Sequence, residues 1–417
     1  MPVCTMAGVI ERRIRPQVLA ALTDTRVVMV MGARQVGKST LCESIVAGEH
    51  PAEVVSFDDD APREAALEDP AGFLAGLERP VFIDEIQRAP GLILAIKRVV
   101  DRDKRPGQFL LSGSANLLSS RRVQEALTGR IELMHLSPFA QSEIEGAAGN
   151  IVDALFAAAP PRVAGASIGR DAFAATVAAG GYPDARLRDE ARRDRWFSSY
   201  LRTTFERDLR AIADLHKEHE MGRLLRLLAT RSGGLLSYAN IADSLDLDAK
   251  TVKTYVGALE AIFLVITVPS WRPGFLQRVL HAPKVYIADS GLLCHLLGAG
   301  QERIAADARV TGSALETFVA MEVIKHASFS ALDPRVYHYR DQRGGEVDLV
   351  LEDRAGRIVA IEVKTKASLS QSDSRGLAKL RQAAGEQFIA GAVVYAGEQT
   401  VPLGDRLWGI PLRGLWA

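Results

Sequence analysis

A glycine-rich run near the start of the chain constrains its fold more than any other feature. The run fits the pattern G-x-x-x-x-G-K-[ST], with a β-rich segment, 27–31, before it and a helical segment, 39–46, after it. Backbone N–H groups of such a loop and the positive end of the following helix bind phosphates. We expect every residue of the run to contact a nucleotide: Gly32, Ala33, Arg34, Gln35, Val36, Gly37, Lys38, Ser39 and Thr40.

An acidic pair complements two side chains of this run. We expect Lys38 to bind the β- and γ-phosphates of ATP, and the Ser39 hydroxyl to bind Mg²⁺. The apolar segment 81–83 ends in Asp84 and Glu85. A carboxylate at a strand tip suits a second Mg²⁺ ligand, Asp84, and the next one suits a base that activates water, Glu85. ATP and Mg²⁺ are therefore the predicted cofactors.

A further polar side chain is expected near the γ-phosphate. The β-rich segment 109–113 is predicted to lie between the strands that carry the loop and Asp84, and it runs into a polar turn. Ser114 is the first candidate for holding the attacking water, and Asn116 the second. A turn of small residues with no such role is the alternative for either one.

The order of β-rich and helical segments predicts an α/β fold. The expected strands of the N-terminal part are 27–31, 54–58, 81–84, 109–113 and 131–136, which argues for a parallel sheet with helices on both faces. At 417 residues the chain is too long for one ordinary core. We predict a P-loop ATPase domain over 1–150, a helical linker or lid over 151–215, a winged-helix domain over 216–300 and a second α/β domain over 301–417.

The residues quoted so far, together with 127–130, resemble the AAA+ ATPases. More narrowly, they resemble a prokaryotic family whose ATPase domain is joined to a C-terminal domain of unknown function; segments 180–183, 200–209 and 286–293 extend this resemblance over nearly the whole chain. The resemblance implies that an arginine at the end of the ATPase core reaches the γ-phosphate of a neighbouring subunit. Arg130 holds the matching position, with a surface ion pair as the alternative role, and the arginine-finger role implies a homo-oligomer.

The middle of the chain contains two basic features. Residues 221–271 are predicted to form helix, short helix, helix and strand, which resembles a winged helix-turn-helix. Lys250 and Lys253 of its second helix stand beside two aspartates, which favours a structural role over DNA binding. The segment 186–210 carries eight arginines and five acidic residues at spacings that favour ion pairs within one helix. Within that segment, Arg207 is an alternative nucleotide sensor.

Two predicted strands near the C-terminus carry acidic residues. Asp348 lies in the segment 345–351, and fourteen positions later Glu362 and Lys364 share one face of an alternating segment. If the strands pair, Asp348 and Glu362 would bind a second Mg²⁺ or a Mn²⁺, and Lys364 would position or deprotonate water. A solvated sheet face is the alternative. The set resembles the PD-(D/E)xK nuclease superfamily, although Glu346 and Val347 precede Asp348 where a proline is often seen. The resemblance implies that Glu316, from the helix 313–325, completes the catalytic set.

Composition limits the functions that this sequence can have. Fifty-one basic and fifty-one acidic residues give a formal charge of zero, so net charge provides no argument for nucleic acid or an anionic membrane as partner. Three isolated cysteines and the lack of a long apolar run lead us to expect a cytoplasmic protein without a membrane partner.

Two functions follow from these patterns. The first is an ATP-hydrolysing AAA+-like ATPase coupled to a nuclease-like domain that acts on DNA or RNA. The second is a nucleotide-dependent regulatory switch, of a defence or toxin-like system, whose C-terminal domain binds a partner without cleaving it. A small-molecule kinase fits less well, because the Asp84–Glu85 pair argues for water as the phosphoryl acceptor.

Overall fold

The N-terminal part of the computed structural model is a five-stranded parallel sheet. The structure describes residues 10–113, 128–163, 168–209, 218–274, 278, 281–341 and 345–416. The first strands are β1 (Val27–Met31), β2 (Glu53–Ser56), β3 (Val81–Asp84), β4 (Phe109–Gly113) and β5 (Ile131–His135), in the order β2-β3-β4-β1-β5. All neighbouring pairs are parallel, which confirms the predicted sheet.

Helices cover both faces of this sheet. They are α1 (Arg15–Asp24), α2 (Lys38–Val46), α3 (Asp60–Glu68), α4 (Pro70–Ala75), α5 (Leu92–Arg102) and α6 (Gln141–Ile144), with a 3-10 turn at Ile86–Arg88. Alternate residues of β1 enter two separate cores. Val28 and Val30 pack with α1 and α2, whereas Val27 and Met29 pack with α5. All five residues of β1 are buried, as expected for a strand covered on both faces.

The predicted strand ends are accurate except at β2 and β5. We expected β2 to reach Asp58, but it ends at Ser56. The chain turns there, because the next aspartates lead into α3, where Asp60 occupies the first turn and interacts favourably with the positive end of the helix. β5 is one residue shorter than predicted.

The middle of the chain is mainly helical. Its elements are α7 (Ile151–Phe156), α8 (Arg170–Ala179), α9 (Pro183–Arg186), α10 (Glu190–Thr204), a π-helix (Phe205–Leu209), α11 (Glu218–Ala229), α12 (Tyr238–Leu245), α13 (Ala249–Ala261), β6 (Val265–Val268) and β7 (Lys284–Ile287). Ser237 and Asp248 cap α12 and α13 through their side chains. β6 and β7 form an antiparallel pair. The alanine-rich stretch 150–179 includes α7 and α8, whose apolar faces are buried against the C-terminal part.

A six-stranded mixed sheet forms the C-terminal part. Its elements are α14 (Ser290–Leu296), α15 (Gln301–Ala306), α16 (Ala308–Phe329), β8 (Arg335–Arg340), β9 (Glu346–Glu352), β10 (Ile358–Lys364), α17 (Arg375–Ala384), β11 (Phe388–Tyr395), β12 (Val401–Gly404) and β13 (Leu407–Pro411), with 3-10 turns at Gln371–Ser374, Gly385–Gln387 and Leu412–Leu415. The strand order is β12-β13-β11-β10-β9-β8. α16 packs on one face and α17 on the other. The sheet has more strands than the sequence pattern predicted.

Polar contacts join α16 to the segment that follows β5. The backbone N–H of Gln141 donates to Glu322 Oε2 over 2.7 Å, and Lys325 Nζ donates to the Phe139 carbonyl over 2.8 Å. These side chains are almost fully buried, so the contact is part of the interior. Within the described ranges, no helix combines the length and apolar character that a membrane crossing requires.

Candidate functional site

The phosphate-binding run occupies the turn between β1 and α2. Gly37, just before the first residue of α2, has φ 92°, a left-handed conformation that glycine adopts without strain. Gly32 faces the chain after β5, and a Cβ atom there would stand 2.2 Å from the Leu136 carbonyl oxygen. A side chain is therefore excluded at Gly32. The two glycines allow the loop to pass over the start of α2, where anions bind.

Lys38 lies at the centre of this loop. Its side chain is almost fully buried. Its Nζ donates to the carbonyl oxygens of Gly32 and Ala33 over 3.1 and 2.8 Å. Burial lowers the pKa of Lys38, and the nearby Glu85 carboxylate opposes that shift. The ammonium group thus contacts neutral oxygens of its own loop, at the place where such lysines meet the β- and γ-phosphates.

Asp84, at the end of β3, meets the loop as predicted. The Ser39 hydroxyl donates to Asp84 Oδ1 over 3.0 Å, and the Ser112 hydroxyl of β4 donates to the same oxygen. A serine hydroxyl beside a carboxylate provides hard oxygen ligands, which fit Mg²⁺. Ser112 was missed by the sequence analysis, although β4 had been expected beside β3.

Glu85 follows Asp84 with a backbone strained for a non-glycine residue. Its φ and ψ are 55° and 40°. Its carboxylate lines the cleft in front of the loop and accepts a hydrogen bond from the side chain of Gln87. Strained backbone of this kind persists where the surroundings enforce it, often at functional sites. Here the strained residue is one that lines the cleft.

Helix α10 forms the opposite wall of the cleft. The cleft has a volume of about 550 Å³, within the usual range for small-molecule sites. The rings of Trp196 and Tyr200 stack with centroids 5.2 Å apart and planes 10° apart. Sequence analysis missed this wall; the signal was an aromatic pair four residues apart within the arginine-rich segment. The described cleft residues of α10 and the π-helix are Trp196, Ser199, Tyr200, Thr203, Thr204 and Arg207.

An ion pair connects the loop to the π-helix. Arg34 donates from Nε and Nη2 to the two carboxylate oxygens of Asp208, each over 2.7 Å. The hydrogen bond to Asp208 raises the pKa of Arg34. We had expected the acidic residues of this segment to pair within their own helix, but Asp208 contacts the loop and Asp194 contacts His295. Tertiary partners replace local ones here because these carboxylates face neighbouring elements.

The remaining residues predicted to act on the nucleotide are Arg130, Ser114, Asn116 and Arg207, and they differ in their position relative to the loop. Arg130 precedes β5 and pairs with Asp101 of α5, with Nε 2.5 Å from Oδ1. β5 runs parallel to β1, so Arg130 lies at the end of the sheet opposite the loop. Ser114 and Asn116 lie outside the described residues. Arg207 lines the cleft.

The helix-turn-helix region presents its lysines to solvent. Lys250 and Lys253 of α13 are both exposed. Of the two neighbouring aspartates, Asp246 ends α12 in a left-handed conformation and Asp248 caps α13. Both aspartates therefore have local structural roles. Their charges remain beside the lysines and weaken any positive surface there.

The two acidic strands of the C-terminal sheet pair with each other, which was the condition for a shared metal site. β9 and β10 are antiparallel, with Leu349 opposite Ile361. Asp348 Oδ2 accepts a hydrogen bond from the Val363 N–H over 2.9 Å. Lys364 Nζ lies 2.6 Å from Glu362 Oε1. Burial, more than any other cause, raises the pKa of Glu362 to about 7.

A buried lysine that the sequence analysis missed organises the acidic residues. Lys284 of β7 is 2% exposed, and its Nζ lies 2.9 Å from Glu316, 2.8 Å from Asp348 and 3.2 Å from Glu346. The Tyr286 hydroxyl donates to the same Glu316 oxygen over 3.1 Å. The available signal was a lysine that begins an otherwise apolar strand. We name Lys284, Glu316, Glu346 and Asp348 the Lys284 cluster.

Charge within the Lys284 cluster is unevenly compensated. Burial, and then the Asp348 charge, raise the pKa of Glu316 to about 7. Burial alone would lower the pKa of Lys284. Interactions with Asp348, Tyr286 and Glu316 together raise this pKa by more than burial lowers it, so the ammonium stays charged. One ammonium thus faces three carboxylates.

The predicted metal ligands divide between the two faces of the sheet. Glu316 belongs to α16, which packs on one face of the sheet. Glu362 lies on the same side of β10 as Ile358 and Ala360, which pack against α17 on the other face. In the part of the chain that the structure describes, no three His, Cys, Asp or Glu side chains form a group arranged to hold a metal ion. Asp348 is joined to Glu316 through Lys284, and Glu362 is bonded to Lys364.

Comparison with known families assigns three segments. Residues 24–145 match the family described as AAA domain, 170–303 match a domain of unknown function (DUF8612), and 311–415 match a domain of unknown function (DUF4143). Among solved structures, the Walker-type ATPase PABY2304 of Pyrococcus abyssi is 15% identical with a TM-score of 0.43, covering 71% of this chain and 98% of that one. The Thermotoga maritima RuvB Holliday junction branch migration motor is 21% identical with a TM-score of 0.30, covering 61% and 89%.

Two mycobacterial proteins resemble almost the entire chain. They are the uncharacterized proteins Rv2008c of Mycobacterium tuberculosis (strain ATCC 25618 / H37Rv) and Mb2031c of Mycobacterium bovis (strain ATCC BAA-935 / AF2122/97). Each is 32% identical over 407 residues, which cover 96% of this chain and 84% of the relative. The chain therefore belongs to the same family as these two proteins, and its N-terminal part is a P-loop ATPase domain of the AAA class.

Proposed function

We propose that this chain binds ATP with Mg²⁺ and hydrolyses it in the cleft between the loop and α10. The observation that carries this proposal is the placement of Asp84. It accepts from the Ser39 hydroxyl at the start of α2, and it is followed directly by Glu85 at the cleft. A metal-ligand pair and a carboxylate that can accept a proton from water thus stand together beside a phosphate-binding loop.

Each group of residues in the cleft has a separate role in ATP hydrolysis. Backbone N–H groups of the loop and the Lys38 ammonium bind the β- and γ-phosphates. Ser39 and Asp84 hold Mg²⁺, which when bound neutralises phosphate charge. Glu85 orients the attacking water and accepts its proton. Trp196 and Tyr200 form the wall that limits access of bulk water to the cleft.

A substitution that removes only the base tests this division. Glu85→Gln keeps the size and polarity of the side chain, so ATP should bind with unchanged affinity. Turnover should fall by about 100-fold or more, the usual contribution of a general base. Steady-state ATPase assays, with calorimetric ATP titration as the control for binding, measure the two effects separately. Equal turnover in the variant and the wild type would remove Glu85 from this role.

Arg130 and the oligomeric state belong to the same proposal. We infer that Arg130 acts on the nucleotide of a neighbouring subunit, which makes the active form a homo-oligomer. Its position at the sheet end opposite its own loop supports action on a partner's site rather than on its own. The ion pair with Asp101 must then open on assembly. A cytoplasmic location fits this function and remains a prediction.

For the C-terminal part we propose a nuclease-like function on DNA or RNA. Asp348 and Glu362 would bind Mg²⁺ or Mn²⁺, Glu316 would complete the set, and Lys364 would position water. The pairing of β9 with β10 supports this assignment. The second candidate is a nucleotide-dependent switch that binds a partner without cleavage. The Lys284 ammonium among the carboxylates favours this second function, because a cation already compensates the charge that a metal would meet.

Cleavage assays separate these two functions. Wild-type protein is incubated with duplex, branched and single-stranded substrates in the presence of Mg²⁺ or Mn²⁺. The nuclease-like function predicts cleavage that Asp348→Asn and Lys364→Met abolish while ATPase activity is retained. If wild-type protein cleaves none of these substrates, the switch is the better assignment. If Asp348→Asn cleaves as fast as wild type, the cleavage does not use this site and the role given to Asp348 is wrong.

A further inference from the structure

The Lys284 cluster combines charges from two separate parts of the chain. Lys284 belongs to the segment 170–303 that matches one family of unknown function. All three carboxylates belong to the segment 311–415 that matches the other. β7 carries Lys284 through its pairing with β6 in the middle of the chain. Withdrawal of Lys284 from the carboxylates therefore requires β7 to shift relative to α16 and β9, against which its residue Tyr286 packs.

The Lys284 ammonium is surrounded by carboxylate oxygens, the same kind of ligand that a divalent metal ion would use. An ammonium group has three donors, and the Lys284 Nζ has three carboxylate neighbours within 3.2 Å. Carboxylate oxygens are also the ligands that Mg²⁺ prefers. A metal ion at this place would need the oxygens that the ammonium already uses. Occupation by Lys284 and occupation by a metal ion are thus mutually exclusive.

Solvent reaches the carboxylates but not the ammonium. The side chains of Glu346 and Glu316 are 44% and 26% exposed, whereas that of Lys284 is 2% exposed. A dissolved cation therefore has a path to these oxygens. On the other face of the sheet, the buried Glu362 Oε2 has no hydrogen-bond partner among the described residues. The site proposed here is therefore limited to the oxygens of the Lys284 cluster.

We propose that Lys284 is a tethered cation that occupies the acidic site of the C-terminal sheet, and that a divalent metal binds there only after Lys284 has withdrawn. The inference rests on the proposed metal-binding role of Asp348, and it adds the regulation of that site. It also explains why Asp348 and Glu316 lie together in this structure although they carry like charges.

Mn²⁺ titration of nucleotide-free full-length protein tests the proposal. Free Mn²⁺ is measured by electron paramagnetic resonance in wild type, Lys284→Met, Lys284→Arg and the double variant Lys284→Met/Asp348→Asn. We expect Lys284→Met to bind one Mn²⁺ at least about 10-fold more tightly than wild type. Lys284→Arg, which keeps the charge, should titrate like wild type. The double variant should lose the gained site.

Thermal melting provides a second measurement if Lys284→Met folds poorly. Mn²⁺ should raise the melting temperature of Lys284→Met and leave that of wild type unchanged, since a ligand stabilises only the state that binds it. Identical Mn²⁺ responses of wild type and Lys284→Met overturn the proposal. If those identical responses require Asp348, the metal site stands and only the exclusion by Lys284 is wrong. If they do not, the metal-binding role of Asp348 fails as well.

Discussion

Two buried lysines show two ways in which this protein keeps a positive charge in its interior. Lys38 donates to two backbone carbonyl oxygens of its own loop, over 3.1 and 2.8 Å. Lys284 contacts three carboxylates from two distant elements, α16 and β9. Both side chains are almost fully buried. The first lysine is bonded to dipoles, and the second is bonded to opposite charges.

This difference determines what each lysine can do. Carbonyl dipoles compensate a charge only weakly, so Lys38 gains by turning to an anionic phosphate. Carboxylates compensate a charge strongly in a site away from water. Lys284 therefore has little to gain from an added anion, and its withdrawal leaves three negative groups together. In the proposed function Lys38 binds a ligand, whereas Lys284 already joins two parts of the chain.

The largest expected effect is on stability. Lys284→Met should lower the free energy of unfolding by about 3 kcal/mol, because breaking a buried ion pair leaves charges without compensation. Lys38→Met, a matched substitution at an equally buried position, should change it by only about 1 kcal/mol, since neutral carbonyls lose one partner. Chemical denaturation at pH 8 measures both values. Equal losses in the two variants would remove the distinction between the lysines.

For nucleotide binding, we expect the substitution of Lys38 to have the larger effect. Lys38→Met should weaken ATP binding by about 100-fold, because two charge-assisted contacts to phosphate are lost. Lys284→Met should leave ATP affinity unchanged, since its contacts lie in the C-terminal sheet. Isothermal titration with ATP and Mg²⁺ provides the comparison. A similar loss of affinity in both variants would show that the two sites are coupled rather than independent.

Unlike the two buried lysines, a buried histidine, His326, is kept neutral by the fold. His326 of α16 is fully buried, and burial lowers its pKa to about 3, with Arg13 and Lys325 adding to the shift. An unfolded histidine takes up a proton below its ordinary pKa of about 6.5. The folded state should therefore lose stability as the pH falls from about 6.5 towards 3, by about 2 kcal/mol at pH 5.

Substitution of His326 isolates its share of this pH dependence. His326→Gln keeps a polar side chain but does not titrate, so the loss of stability between pH 8 and pH 5 should shrink by about 2 kcal/mol. Urea denaturation of both proteins at the two pH values measures the difference. A variant with the full wild-type pH dependence would show that other buried groups cause it.

Local patterns were sufficient for the ATPase core. A glycine-rich turn between a buried strand and a helix has one common use, and parallel strands bring their carboxyl ends to one edge, so the meeting of Ser39 with Asp84 followed from chain order. The pairing of β9 with β10 was only a condition for a shared metal site in the sequence analysis, and the structure meets that condition. Roles for Ser114 and Asn116 remain predictions, because both lie outside the described residues.

Contacts between distant segments were not predictable in the same way. Asp208 was expected to pair within its own helix, but it lies opposite Arg34, 174 positions away. The sequence contains no local sign of that partner. Trp196 and Tyr200 read as ordinary aromatic residues of an amphipathic helix, and only the packing of α10 against the loop places them in the cleft.

The sequence alone predicted where a phosphate would bind, because the predicted site consists of consecutive backbone amides and one lysine within a single turn. Only the tertiary structure decided how the acidic residues of the C-terminal sheet are compensated. Lys284 is 64 positions from Asp348, and nothing in the periodicity of β7 indicates which charges it meets. Short-range geometry fixes the first site, whereas the second depends on how segments distant in the chain pack, because a charge buried without compensation is costly.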